Sequence, residues 1–215
     1  MDEAFLDLPE LLSDDELSRY RKIKHQRART DFLRTRVALR SILARYLCCP
    51  GADIVFNYTE NGKPELSQDT PGSIQFNLSH SGNCCLLAVT TGRDVGIDIE
   101  RLQPGRDHAA LAQRFFTAAE HKMFEESSDN QLFYRMWVLK EASVKARDMK
   151  LLQGLDRFEC LVDEDKTLRI EDKLEKQNPE DWSIRQWQPD DQVIAAVVVK
   201  CKEAKFKEKR LKNTT

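Results

Sequence analysis

Twice along its length this chain runs a helical pattern into a train of short strands, and that repeated order limits its fold more than any single motif. Ser13, followed by Asp14, Asp15 and Glu16, reads as an N-cap with acids in the first helical turn. The helical pattern it opens runs to about Leu47, with a break expected near Thr30-Asp31, and Pro50-Gly51 stops it. Strands are predicted over 54–58, 74–78, 84–91 and 95–99. Glu60-Asn61-Gly62-Lys63, Pro71-Gly72, a Ser-Gly pair and Gly92-Arg93-Asp94 supply the turns. Around Pro104-Gly105 the pattern returns to helix, over 108–116, 118–126 and 131–147, and strands follow at 156–162, 167–170, 182–188 and 193–199. The economical architecture is α+β, with two similar halves, 1–103 and 104–215, and a ligand pocket expected between them.

Composition narrows the class. At 215 residues, 40% hydrophobic and 33% charged, the chain can bury a substantial core. No run approaches the roughly 18–20 apolar residues of a membrane span, and Met1-Asp2-Glu3 opens no signal peptide, so a cytoplasmic protein is expected. The six cysteines lack the CxxC spacing of zinc sites and are expected to be reduced core thiols, Cys84 and Cys85 within an apolar run. Nine cations lie between Arg19 and Arg40 against one acid, Asp31. That block is an amphipathic helix first, with an anion as the expected partner of some of its arginines. From Lys200 the lysine-rich tail is expected to be solvated or frayed and carries no chemistry.

The sharpest local feature is Val95-Gly96-Ile97-Asp98-Ile99-Glu100. Strand alternation puts Asp98 and Glu100 on one face, starting about 7 Å apart, close enough to converge on one cation. An isolated pair of this kind is more often an ordinary strand with its acids in water. The 131–147 helix adds a second oddity. Phe133, Met136, Trp137 and Val144 form an apolar stripe at helical spacing, and Lys140 and Glu141 interrupt it. Charges on a core-facing stripe are costly unless paired or used. An i,i+4 salt bridge from Glu141 to Lys145, worth a few tenths of a kcal/mol, would not offset burial, whereas metal ligation would. Asp98, Glu100 and Glu141 together make an all-oxygen set that favours Mg2+, or Mn2+ in its place, with Lys140 and Lys145 facing phosphates.

These residues resemble the motifs of a known family. Val95–Glu100, then Trp137-Val-Leu-Lys-Glu-Ala-Ser-Val-Lys145, Phe76-Asn-Leu-Ser-His80-Ser-Gly82 and Asn61-Gly62-Lys63-Pro64 look like the ordered motifs of Sfp-type 4'-phosphopantetheinyl transferases. Arg114-Phe115-Phe116, with Glu120 beyond it, is similar to the segment between two of them. The resemblance implies the larger, monomeric subfamily, in which two pseudo-symmetric α+β halves enclose coenzyme A. It implies Mg2+ at Asp98, Glu100 and Glu141, with Glu141 (or a water it orients) as base for the acceptor serine and Lys145 at the phosphates. Ser79, His80, Gly62, Lys63 and Arg19 would hold the nucleotide end, Arg19 on ungapped counting alone. The acceptor would be an apo acyl- or peptidyl-carrier protein of fatty-acid, polyketide or nonribosomal peptide synthesis, and adenosine 3',5'-bisphosphate would leave. One departure stands out. The family commonly has glycines soon after the motif lysine, and here none occurs before Gly154.

Three alternatives compete. A nucleic-acid module built on the Arg19–Arg40 block leaves the acids unexplained. Another magnesium-dependent phosphoryl transferase lacks a GxxxxGK[ST] loop to hold its nucleotide. A degenerate transferase fits poorly with intact acids and Lys145.

Overall fold

The computed structural model describes residues 9–67, 73–103, 105–129, 131–155, 157–163, 167–174 and 181–210. The turn expected at Pro71-Gly72, Pro104, the strand start at Asp156 and the tail beyond 210 lie outside the described residues. The chain is α+β, and it divides into two compact units. One draws on residues up to 57, 64–73 and from 206 onward; the other on 58–63 and 74–205.

In the first unit, Ser13 and Glu16 form a reciprocal capping box that opens α1 (Asp14–Lys22). The chain turns out of helix at Ile23, earlier than the expected break at Thr30-Asp31, and re-enters as α2 (Gln26–Leu47). Arg19, Arg21 and Lys22 crowd the last turn of α1, where cations suit the negative end of the helix. Asp31 falls in the second turn of α2, whose first turn carries no acid. The buried Glu16 also takes the Nε–H of Arg40 at 2.7 Å. Arg40 Nη1 donates to the carbonyls of Gly51 and Ile54, both at 2.8 Å. This arginine of the basic block is therefore an internal staple. Two short strands, β1 (Phe56–Tyr58) and β2 (Pro64–Leu66), pair beyond it.

The second unit opens with the antiparallel hairpin β3 (Ile74–Ser81) and β4 (Cys84–Thr91), turning at Gly82-Asn83. β3 runs three residues past the predicted end, so Ser79, His80 and Ser81 are strand residues. β5 (Val95–Arg101) leaves this hairpin and pairs antiparallel with β9 (Val193–Val199), Asp98 opposite Ala196. β8 (Ser183–Asp190) completes a sheet in the order β5-β9-β8. Between β5 and β8 come α3 (His108–Phe115), α4 (Ala118–Glu126), α5 (Leu132–Ala146), α6 (Leu151–Leu155) and the hairpin β6 (Phe158–Val162)–β7 (Leu168–Asp172).

The core is built around α5. Phe133, Met136, Leu139, Ala142 and Val144 are buried with Phe158, Cys160, Leu168, Ile194, Ala196 and Val198. Every residue of β9 is buried, as a continuous Val/Ile/Ala run at the centre of a covered sheet should be. β5 lies directly on α5 at Gly96. A Cβ there would overlap the carbonyl of Ala142 and the amide of Ala146, so only glycine permits the approach.

All six cysteines are free, and of these only Cys160 is buried. The expectation of core thiols at Cys84 and Cys85 is corrected, because β4 is part-exposed along its length and Cys85 reaches solvent. Among the described residues, no helix is long and apolar enough to cross a membrane.

Candidate active site

The close approach at Gly96 aims the rest of β5. With backbone against backbone at that point, Asp98 and Glu100 arrive beside the last turns of α5, which carry Glu141 and Lys145. One ligand atom from each of Asp98, Glu100 and Glu141 lies within 4.8 Å of the others. A cavity of about 240 Å³ opens over them, lined also by Leu78, Ser79, His80, Ile99 and Lys145. Its walls come from both sides of residue 103 in the sequence, yet wholly from the second unit.

Lys145 Nζ bonds Asp98 Oδ1 at 2.5 Å and Ser79 Oγ at 3.2 Å, and stands 3.4 Å from Glu141 Oε2. Ser79 Oγ donates to the same Asp98 oxygen at 2.7 Å. Asp98 is 2% exposed, and its second oxygen, Oδ2, is buried without a hydrogen-bond partner. A buried, unpartnered carboxylate oxygen is costly unless a cation takes it.

Electrostatics point the same way. Burial raises Asp98 above the usual carboxylate range, with Lys145 and Ser79 opposing. Burial and then the neighbouring Asp98 raise Glu100. Glu141 is pushed up to about 7 by burial and by Asp98, against the pull of Lys145. Burial would lower Lys145, but Asp98 and Glu141 outweigh it and hold the ammonium above its ordinary range. Three carboxylates against one ammonium leave two negative charges when all are ionised, the charge that one divalent cation cancels. Hard oxygen donors, an orphaned carboxylate oxygen and a small polar cavity fit Mg2+ or Mn2+ and do not suit a soft metal.

The other sequence-predicted residues fall out differently. His80 is exposed and lines the cavity. Arg19 lies in α1, in the other unit. Lys140 is corrected. It is fully buried, and its ammonium sits 2.6 Å from Glu120 Oε2 in a pair with no exposure on either side. The same Glu120 oxygen accepts from the Thr117 amide at 2.8 Å, and Oε1 accepts from the Cys160 amide at 2.7 Å. With its charge consumed inside the core, Lys140 cannot face a phosphate. Ser81 escaped the sequence reading. Its Oγ donates to Glu100 Oε2 at 3.1 Å and accepts from the Arg101 amide at 3.0 Å. Its signal was the alternation of Asn77, Ser79 and Ser81 along one strand face.

Comparison with known proteins agrees with this geometry. The sequence model of the 4'-phosphopantetheinyl transferase superfamily matches residues 94–198, and that of the 4'-phosphopantetheinyl transferase N-terminal region matches 1–92. The chain is 36% identical over 197 residues to 4'-phosphopantetheinyl transferase HetI of Nostoc sp., covering 90% of this chain and 80% of that protein. It is 31% identical to 4'-phosphopantetheinyl transferase Sfp of Bacillus subtilis, over 74% of this chain and 70% of the relative. A phosphopantetheinyl transferase of Thraustochytrium sp. is 30% identical over 87% of this chain and 70% of its own length.

The chain belongs to the 4'-phosphopantetheinyl transferase family.

Its departure from the family's glycines after the motif lysine has a structural answer. α5 stops in a Schellman turn, with the Met149 amide on the Val144 carbonyl at 3.1 Å and the Asp148 amide on that of Lys145 at 3.3 Å. Asp148 takes the left-handed position, φ 49°, where glycine is usual. Thr59 Oγ1 donates to its carboxylate at 3.0 Å, and Asn61 Nδ2 to its carbonyl at 2.6 Å. Lys63 Nζ donates to the carbonyls of Lys145 at 2.9 Å and Val95 at 3.2 Å. The turn around Gly62, whose φ is +84°, thus grips the end of α5 and the start of β5 together.

Proposed function

We propose that this chain transfers the 4'-phosphopantetheine arm of coenzyme A to a serine of an apo carrier protein. The observation that carries the reading is the cavity where Asp98, Glu100, Glu141 and Lys145 converge, in a chain whose relatives are named as such transferases. Asp98, Glu100 and Glu141 would hold Mg2+, for which Mn2+ can substitute. Bound there, the ion supplies charge neutralisation at the diphosphate.

The protein's own groups supply the remainder. Lys145, kept cationic by its acidic neighbours, stabilises charge gathering on the phosphates. The acceptor serine oxygen forms the new P–O bond at the β-phosphorus, and the bond to the bridging oxygen breaks. Adenosine 3',5'-bisphosphate is released. Glu141 takes the serine proton directly or through a water it orients. Positioning and charge neutralisation supply most of the acceleration in such transfers. His80, Ser79, Gly62 and Lys63 serve the nucleotide end. The protein acts as a cytoplasmic monomer.

Incubation with apo-carrier, coenzyme A and Mg2+ is expected to yield carrier heavier by one phosphopantetheine, read by mass spectrometry. Asp98→Ala and Glu141→Ala should abolish the product while leaving the circular dichroism unchanged. Lys145→Ala should cost about 2–4 kcal/mol in kcat/KM. Near-normal turnover in either acid variant at limiting Mg2+ would refute the metal assignment. A competition among fatty-acid, polyketide and nonribosomal peptide apo-carriers then names the acceptor.

A further inference from the structure

Among the described residues no backbone ladder joins β3 to β5; side chains make the seam instead. Asn77 Oδ1 accepts from the Ile97 amide at 2.9 Å, Ser79 meets Asp98, and Ser81 meets both Glu100 and the Arg101 amide. Residues 77, 79 and 81 share one strand face, so the hydroxyls at 79 and 81 match the carboxylates at 98 and 100 step for step.

We propose that Ser81 is a positioning residue for Glu100, setting the affinity of the site for a divalent cation; this rests on the metal reading above. A hydroxyl has one proton to give. Because Ser81 Oγ already accepts from the Arg101 amide, that proton is directed onto Glu100 Oε2. The carboxylate is thereby fixed through one oxygen, which leaves the other for a cation. Glu100 is the one of the three acids for which Lys145 provides no direct bond; Lys145 reaches Asp98 and Glu141. Ser81 takes over that orienting task. Groups that orient metal ligands in this way typically govern affinity by roughly 10–100-fold.

The test is a titration of the metal-free full chain with Mn2+ alone, free ion counted by electron paramagnetic resonance, without coenzyme A or carrier. Ser81→Ala is expected to weaken the dissociation constant by about 10–100-fold, and Ser81→Thr to retain it. Asn77→Ala removes a tie from the same seam without touching a carboxylate. It should lower Tm and leave Mn2+ affinity unchanged. Ser81→Ala binding Mn2+ as the parent does, or Asn77→Ala weakening it equally, overturns the proposal. Glu141→Ala separates the two layers: if the parent binds Mn2+ and Glu141→Ala still binds it as well, the metal reading itself falls, and this inference with it.

Discussion

The acidic cavity makes stability depend on pH in a direction opposite to that of most carboxylates. Glu141 sits near 7 in the folded, metal-free protein against an ordinary value of 4.5. Between those values the folded state holds a proton that the unfolded state has released. Unfolding there releases a proton, so stability falls as pH rises through the window. A gap of about 2.5 units corresponds to about 3 kcal/mol, and Asp98 and Glu100, also raised, act in the same sense. For a chain of this length, each kcal/mol shifts Tm by about 2–4 °C. With a chelator present, Tm should therefore drop by roughly 6–12 °C between about pH 5 and pH 8, relative to Glu141→Gln. That comparison cancels the histidines and the other titrating groups outside the cavity, while Asp98, Glu100 and Lys145 respond together with Glu141. Mg2+ needs the carboxylates ionised, so it should raise Tm strongly at the alkaline end and little at the acid end. A parent slope matching that of Glu141→Gln would refute the argument from burial. So would Mg2+ stabilisation that is independent of pH.

Two other expectations rest on the packing. Lys140→Met leaves Glu120 buried and unpaired, which should cost roughly 3–5 kcal/mol in urea unfolding while coenzyme A affinity, measured by calorimetry on the folded fraction, stays unchanged. A loss of affinity without a loss of stability would restore Lys140 to the phosphates. Asp148→Gly removes the acceptor of Thr59, a charged hydrogen bond worth about 1.5–3 kcal/mol, but relieves a left-handed backbone worth about 1 kcal/mol. It should destabilise the parent by about 1 kcal/mol and stabilise Thr59→Val by a similar amount; equal effects in both backgrounds would contradict the clasp.

Adjacent residues show where sequence was enough and where it stopped. The periodicity of α5 announced that Lys140 and Glu141 interrupt an apolar stripe, and burial makes such charges meaningful. Successive helical residues point about 100° apart. Lys140 turns towards Glu120, twenty positions back, and Glu141 towards Asp98. The stripe alone could not distinguish a charge with an internal partner from one facing a cavity, because the distinction lies in what packs against each side. The same limit hid the partner of β5. Alternation put Asp98 and Glu100 on one face, but only tertiary pairing with β9, almost a hundred residues on, and the bare Gly96 contact aim that face at α5. Ser81 was hidden for a related reason. Ser81 lies past the strand end predicted at 78, and it acquires a role only because β3 continues and its hydroxyl spacing matches the acids opposite. What the motifs made legible is the chemistry that opens on the cavity. The groups that hold this chemistry in place, namely Glu120, Ser81, Thr59 and Asp148, are defined by partners distant in sequence, and no motif names those partners.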